Sequence, residues 1–446
     1  MGWYKGDESM KMLIILINKF IYFIGKLLKK GSSLPGKIAL RLDKNILSKI
    51  KLPKNIIMVT GSNGKTSTTE MTYSVLKENG YNVGCNKEGS NQIEGVTTMI
   101  LNSCNLFGKV KKDVLVIESD ERYLRHTCKY IKPTHLVVTN LYRDQMTRNG
   151  HPELIYDIIK EAIPEDTHLI LNTDDPLSSL YGYKRQNVTY FGMNKNPLST
   201  FEDNSVYNDG IYCPNCKAKM EYEYYHFNHI GKYECKKCGH SRKEPQFAIT
   251  DIDLKTGIVK INDKYQIQMN LRSVYNAYNI LATFAITNLI GVEEEKIAKA
   301  LNQYVIKNDR VQTFNINGKE GMLLTSKHEN SISYNQSLQY VVREDKPCTV
   351  VVIVDAVSRK YFTSETSWVW DINFELLNAE CVKNIVIAGK YVHDLSIRFK
   401  YAGIDTNKII AEENLDEMMK KVKELDNQNI YVITCFSDRM KFMDRV

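Results

Sequence analysis

Gly61-Ser-Asn-Gly-Lys-Thr66, followed by Ser67, holds the densest chemistry in the chain. Gly61 and Gly64 let the backbone curl so that N–H groups, that of Asn63 included, point at phosphate oxygens. Lys65 can bridge terminal phosphates, and the Thr66 hydroxyl can hold Mg²⁺. The stretch is one residue shorter than the general G-x-x-x-x-G-K-[ST] pattern. A glycine turn before a helix is common; the added Lys-Thr is not, and it predicts nucleotide binding. A carboxylate run, Glu118-Ser-Asp-Glu121, is the second feature. Glu118 can complete a Mg²⁺ sphere of oxygen ligands, whereas Asp120 and Glu121 read equally well as a solvated face. The third is a pair of Cys-x-x-Cys knuckles, Cys213/Cys216 and Cys235/Cys238, eighteen residues apart. That spacing predicts a closed, structural zinc site of four thiolates. His226, His229 and His240 lie nearby in sequence, but four sulfurs suffice.

The elements around these residues must bring them together. Residues 55–60, 113–118, 134–139 and 168–172 are short apolar runs that read as buried strands. Helical patterns follow residue 65 and cover 152–163, 274–290 and 292–305. Alternation of this kind predicts a parallel sheet with helices on both faces, and it puts Glu118 at a strand end beside the phosphate loop. Residues 193–265 are polar, rich in Tyr and Cys, with short alternating runs. Strands read at 349–354, 384–388 and 430–434 predict a second α/β domain. The expected division is a basic segment at 1–50, a central ATP-binding domain at 51–308 with the ribbon inserted at about 205–245, and a C-terminal domain at 309–446.

Charge is unevenly placed. The chain carries a formal +8, but residues 1–54 hold twelve Lys/Arg against Asp7, Glu8 and Asp43, and the remainder is close to neutral. A nucleic-acid binder would spread its basic surface over a folded domain, so that class is excluded. Residues 11–30 form a basic amphipathic pattern in which Lys11, Asn18, Lys19, Lys26, Lys29 and Lys30 share one side of the helical wheel. Interrupting polar residues make it a poor bilayer span. It reads either as a peripheral membrane contact over residues 10–30 or as a helix packed on its own protein. Six scattered cysteines indicate a reducing compartment, the cytoplasm, with the membrane contact placing the chain at its inner face.

The compact Gly-Ser-Asn-Gly-Lys-Thr-Ser form resembles the Mur ligase family, and further stretches resemble its MurT branch. These are Gly31-Ser-Ser-Leu-Pro-Gly36, Asn86-Lys-Glu-Gly-Ser-Asn91, Thr139-Asn-Leu-Tyr-Arg-Asp-Gln145, Tyr275-Asn-Ala-Tyr-Asn279 and Ser367-Trp-Val-Trp-Asp371. The resemblance implies a P-loop Mur ligase central domain with an inserted Cys₄ ribbon and a Rossmann-like C-terminal α/β domain. It implies ATP and Mg²⁺ at Lys65, Thr66 and Glu118, a polar contact from Gln145, adenine-side contacts from Asn276 and Asn279, and a domain-junction arginine at Arg310. The implied reaction amidates the D-glutamate α-carboxyl of the lipid II stem peptide through an acyl phosphate. Ammonia would come from a GatD-like glutaminase in a heterodimer. In that branch an Asp of the C-terminal domain completes the glutaminase's Cys-His pair, and Asp355 is the nearest carboxylate here. The sequence departs from the branch at 355–365 and at Lys327-His-Glu-Asn-Ser-Ile-Ser-Tyr-Asn-Gln336. A ligase with another acceptor or free ammonia, and a non-catalytic ATP-binding scaffold, are the alternatives.

Overall fold

A computed structural model describes residues 2–28, 33–86, 90–203, 205–305, 311–356 and 365–446. The chain divides into two compact units: Met1–Leu141, Glu153–Asp203 and Asp209–Val305 form the first, and Tyr142–Pro152, Asn204–Asn208 and Ile306–Val446 the second.

In the first unit, β1 (Asn55–Thr60), β2 (Val83–Cys85), β3 (Val114–Glu118), β4 (His135–Val138), β5 (His168–Asn172) and β6 (Val188–Met193) pair in parallel. β3 is buried along its whole length, as expected of a strand covered on both faces. Strands β7 (Glu221–Phe227) and β8 (Ile230–Glu234) make a separate hairpin. The chain then returns as β9 (Phe247–Asp253), β10 (Ile258–Ile261) and β11 (Tyr265–Gln268). The nine strands lie in the order β11-β10-β9-β6-β5-β4-β1-β3-β2. The expected parallel sheet is therefore a mixed one. β9 joins β6 in parallel, but β9, β10 and β11 form an antiparallel meander, because short turns link them and no crossover helix intervenes.

Four helices in this unit matter below: α1 (Gly2–Leu27), α2 (Leu34–Leu42), α3 (Lys65–Glu78) and α4 (Ile93–Ser103). α3 leaves the C-terminal end of β1 through the glycine loop, and the long helix Val274–Leu289 packs beside it. That helix starts at Ser273, whose hydroxyl accepts from the Asn276 N–H at 3.2 Å.

The second unit is built on six strands: β12 (Val311–Ile316), β13 (Lys319–Ser326), β14 (Cys348–Ile353), β15 (Val382–Ala388), β16 (Ile409–Glu412) and β17 (Asn429–Cys435). Their order is β12-β13-β17-β14-β15-β16, parallel except for the β12–β13 hairpin. Alternate residues of β14 serve different cores, as the two-residue period of a strand requires. Val350 and Val352 pack with Phe374 and Phe399, whereas Val351 and Ile353 pack with Met418 and Phe442.

Candidate functional site

The phosphate loop sits at the C-terminal end of β1, where ligands of parallel α/β sheets bind. Gly64 is left-handed at φ 82°, and a Cβ there would lie 2.0 Å from Asn279 Oδ1. Only glycine lets the loop and that helix approach so closely. Asn276 and Asn279 are both buried, not the surface amides that residue type alone would allow. The Asn276 amide donates to Leu271 O at 3.0 Å, while Asn279 bears directly on the loop. From the end of β4, Asn140 fastens the loop: its carbonyl accepts from Ser62 N–H at 2.9 Å and its Oδ1 from Asn63 N–H at 2.9 Å. Thr139 Oγ1 donates to Asn63 O at 2.6 Å. The loop is thus held in a phosphate-cradling shape by side chains more than seventy residues away. α3 begins at Lys65, so its first N–H groups, which lack helical acceptors, face the same place with the positive end of the helix dipole.

Lys65 is buried. Its ammonium donates to the carbonyls of Gly61 and Ser62 and pairs with Glu121 Oε2 at 2.9 Å. Glu121 is therefore not on a solvated face; it neutralises the loop lysine. Glu118 occupies the end of β3, hydrogen-bonded through both backbone groups to Asn86, at 2.8 and 2.9 Å. Asn91 donates to its Oε1 at 3.0 Å. One carboxylate oxygen is thus oriented by an amide, and Thr66 and Ser67 stand half-buried at the start of α3. This set of hard oxygens suits Mg²⁺.

Apart from the ribbon cysteines, the remaining predicted residues lie in the second unit or outside the described residues. Gln145 has a left-handed backbone, its N–H bound to Glu329 O at 2.9 Å, and its Oε1 accepts from Arg148 at 3.0 Å. Beside it, Asp144 accepts from Lys327 and, at 2.9 Å, from Asn330. The Asp144-Gln145 stretch and the unusual 327–330 stretch therefore form one network. Arg310 and residues 357–364 of the altered loop lie outside the described residues. Asp355 ends up beside Lys441, which also contacts Asp438 at 2.9 Å, and Asp438 accepts the N–H groups of Asp355 and Ala356 at 2.9 Å each. Burial works against the Asp355 charge, yet Lys441 and the Lys390 N–H hold its carboxyl below the ordinary range.

The four cysteines of the ribbon converge: all their sulfurs lie within 4.8 Å of one another. Cys213 is 3.6 Å from Cys238, and Cys216 is 3.5 Å from Cys235. Each knuckle closes through a left-handed residue, Lys217 or Gly239, whose N–H returns to the first cysteine's carbonyl. A thiolate tetrahedron with bonds of about 2.3 Å has edges near 3.8 Å, so the set fits one tetrahedral metal ion. The histidines point elsewhere: His226 to Met193 O at 3.0 Å, His240 to Pro176 O at 2.9 Å, and His229 toward Asp175 at 3.7 Å. The ribbon is tied to the main sheet through buried Asp174, which binds Arg242 Nε, the Tyr278 hydroxyl and the Met193 N–H, each at 2.6 Å.

Comparison with known proteins agrees with this geometry. The Mur ligase middle domain matches residues 59–287, and the MurT ligase C-terminal domain matches residues 328–438. The chain is 31% identical over 441 residues to the lipid II isoglutaminyl synthase (glutamine-hydrolyzing) subunit MurT of Streptococcus pneumoniae (strain ATCC BAA-255 / R6), covering 96% of this chain and 95% of the relative. The same-named subunit of Staphylococcus aureus (strain COL) is 30% identical over 399 residues, 89% of this chain and 88% of its own. Among solved structures, a pseudomurein peptide ligase type C from Methanothermus fervidus superposes with a TM-score of 0.66 at 22% identity, covering 90% of this chain and 79% of that one, a likeness of fold.

Proposed function

The chain belongs to the MurT branch of the Mur ligases, and on that premise we propose how its residues perform the ATP-dependent amidation of lipid II. Mur ligases use ATP and Mg²⁺. The observation that carries the residue assignment is the convergence of Lys65 and its glycine loop with the clamped carboxylate of Glu118. Lys65 leaves Glu121 for the terminal phosphates, and the first N–H groups of α3 take the rest of their charge. Thr66 and Glu118 hold Mg²⁺, which when bound neutralises the phosphate oxygens. The D-glutamate α-carboxylate of the stem peptide attacks the γ-phosphorus, the bond to ADP breaks, and an acyl phosphate results. Ammonia adds to its carbonyl carbon, phosphate departs with the C–O electron pair, and the extra proton is lost, leaving D-isoglutamine. The chain's share is positioning and neutralisation of charge.

Ammonia comes from a GatD-like glutaminase subunit, a reading supported by the glutamine-hydrolysing name of the relatives. Asp355 is the carboxylate offered to that partner, and it must then exchange Lys441 for a histidine. The Cys₄ ribbon holds zinc in a structural role, since four sulfurs leave no open position. ATP and a lipid-linked acceptor meet at the cytoplasmic face of the membrane, where we place the protein.

The test uses the purified chain with ATP, Mg²⁺, lipid II and ammonium chloride, followed by mass spectrometry of the stem peptide. Conversion of one carboxyl to an amide, lost in Glu118→Gln, is expected. Binding of Mg-ATP without amidation would overturn the assignment of substrate.

A further inference from the structure

α1 is mounted the wrong way round for a helix that only packs on its own protein. Such a helix buries its apolar stripe and exposes its polar one. Here Asn18 is 0% exposed and donates to Thr98 O at 3.4 Å and to Asn102 Oδ1 at 3.3 Å, while Lys19 donates to Asn102 O at 2.9 Å. Lys11 is buried too, with Ile14 and Ile15 on the same inner side against α2 and α4. The outer side consists of Leu13, Leu16, Phe20, Phe23, Ile24 and Leu27, all exposed, Phe20 at 65% and Leu27 at 69%. At about 100° per residue these six fall within roughly 100° of the wheel, directly opposite Asn18. They form an unbroken apolar ridge about 20 Å long.

The surrounding charge identifies what covers the ridge. Of the three acids in residues 1–54, Glu8 is paired with Lys11, and Asp7 and Asp43 are both paired with Lys49. Lys26, Lys37, Arg41 and Lys44 remain exposed on α1, α2 and the turn after it. A cationic rim around an apolar ridge would repel a second copy of itself, and it complements anionic headgroups over acyl chains. No described helix is long and apolar enough to cross a membrane. We propose that the outward face of α1 lies in the interface of an anionic bilayer, Phe20 and Phe23 inserted and Lys26, Lys37 and Arg41 at headgroup level. This deepens the functional reading above, in which the acceptor is lipid-linked: the helix keeps the ligase on the surface that presents its substrate.

The experiment sediments the full chain with vesicles of phosphatidylcholine alone or mixed with phosphatidylglycerol, alongside Phe20→Glu/Phe23→Glu. Both side chains are exposed, so the variant should keep its melting temperature and its ATP turnover. Partition onto the mixed vesicles is expected, weaker at high salt, and at least about tenfold lower in the variant. Amidation of vesicle-borne lipid II should fall in parallel, while amidation of a short-chain, water-soluble analogue should not change. Equal partition of the two proteins, or no partition of either, overturns the proposal. So does a change from oligomer to monomer in the variant without a change in vesicle binding, which would make the ridge a protein interface. Failure to amidate even the soluble analogue would instead strike the functional reading and leave the vesicle result standing.

Discussion

Lys65 is a buried cation whose carboxylate partner is Glu121. Its pairing with Glu121, whose side chain is 2% exposed, keeps a buried ammonium compensated. Lys65→Met should lower ATP turnover by about 10²–10³-fold, the usual loss when one preorganised cationic donor is removed. It should also lower the melting temperature, because Glu121 is left as an uncompensated buried charge. Adding Glu121→Gln should restore the melting temperature and leave turnover lost; recovery of turnover would show that Lys65 does not act on phosphate. Asp174 offers a comparison without chemistry. Its carboxylate holds Arg242, Tyr278 and a backbone N–H from full burial, so Asp174→Ala should cost about 3–5 kcal/mol in urea unfolding.

Among the elements, the ribbon and the paired strands β4 and β5 have separable effects. Cys216→Ser should release metal, measured by atomic absorption, and destabilise the β7–β8 hairpin, with amidation of lipid II falling less than in Lys65→Met. In β4, burial and the neighbouring His168 ring push His135 down to about 4 from an ordinary 6.5. His168, facing it across the strands, is lowered by burial as well. The unfolded chain therefore binds protons between those values that the folded chain does not, so stability is full above about pH 6.5 and falls as pH drops toward 4. The urea midpoint should decline from about pH 7 to about pH 5, and less steeply in His135→Gln. Elements carried by strong local patterns were legible in sequence: β1 and β5 begin and end at the predicted residues, and the two knuckles converge as their spacing requires. The meander β9–β11 is harder to read from sequence, because its apolar stretches are short: Phe247–Ile249 opens β9, and β10 and β11 alternate between buried and outward residues over four positions each. Contacts such as Glu121 to Lys65 and Asn140 to the loop lie far apart in sequence, and no spacing rule reaches them. The orientation of α1 was equally hidden, since a wheel shows that a helix has two sides and not which of them its own protein takes.

At the level of the whole molecule, the proposed ligase chemistry and the proposed ammonia supply should be separable by experiment. With ammonium chloride the chain alone should amidate lipid II; with glutamine it should do so only when a GatD-like glutaminase is added. Asp355→Asn should abolish the glutamine-dependent rate and leave the ammonium-dependent rate, measured by mass spectrometry of the same product. Loss of both would place Asp355 in the fold's stability and not in the partnership. The sheet next to Asp355 has one more property. β17 lies between β13 and β14, although both are made long before it. The β12–β13 hairpin and the β14–β15–β16 run each carry a bare hydrogen-bonding edge until β17 enters between them. During translation the two halves wait in that state. Until β17 is made, those two edges are open to pairing with other strands, so the sheet closes only when nearly the whole domain has been synthesised.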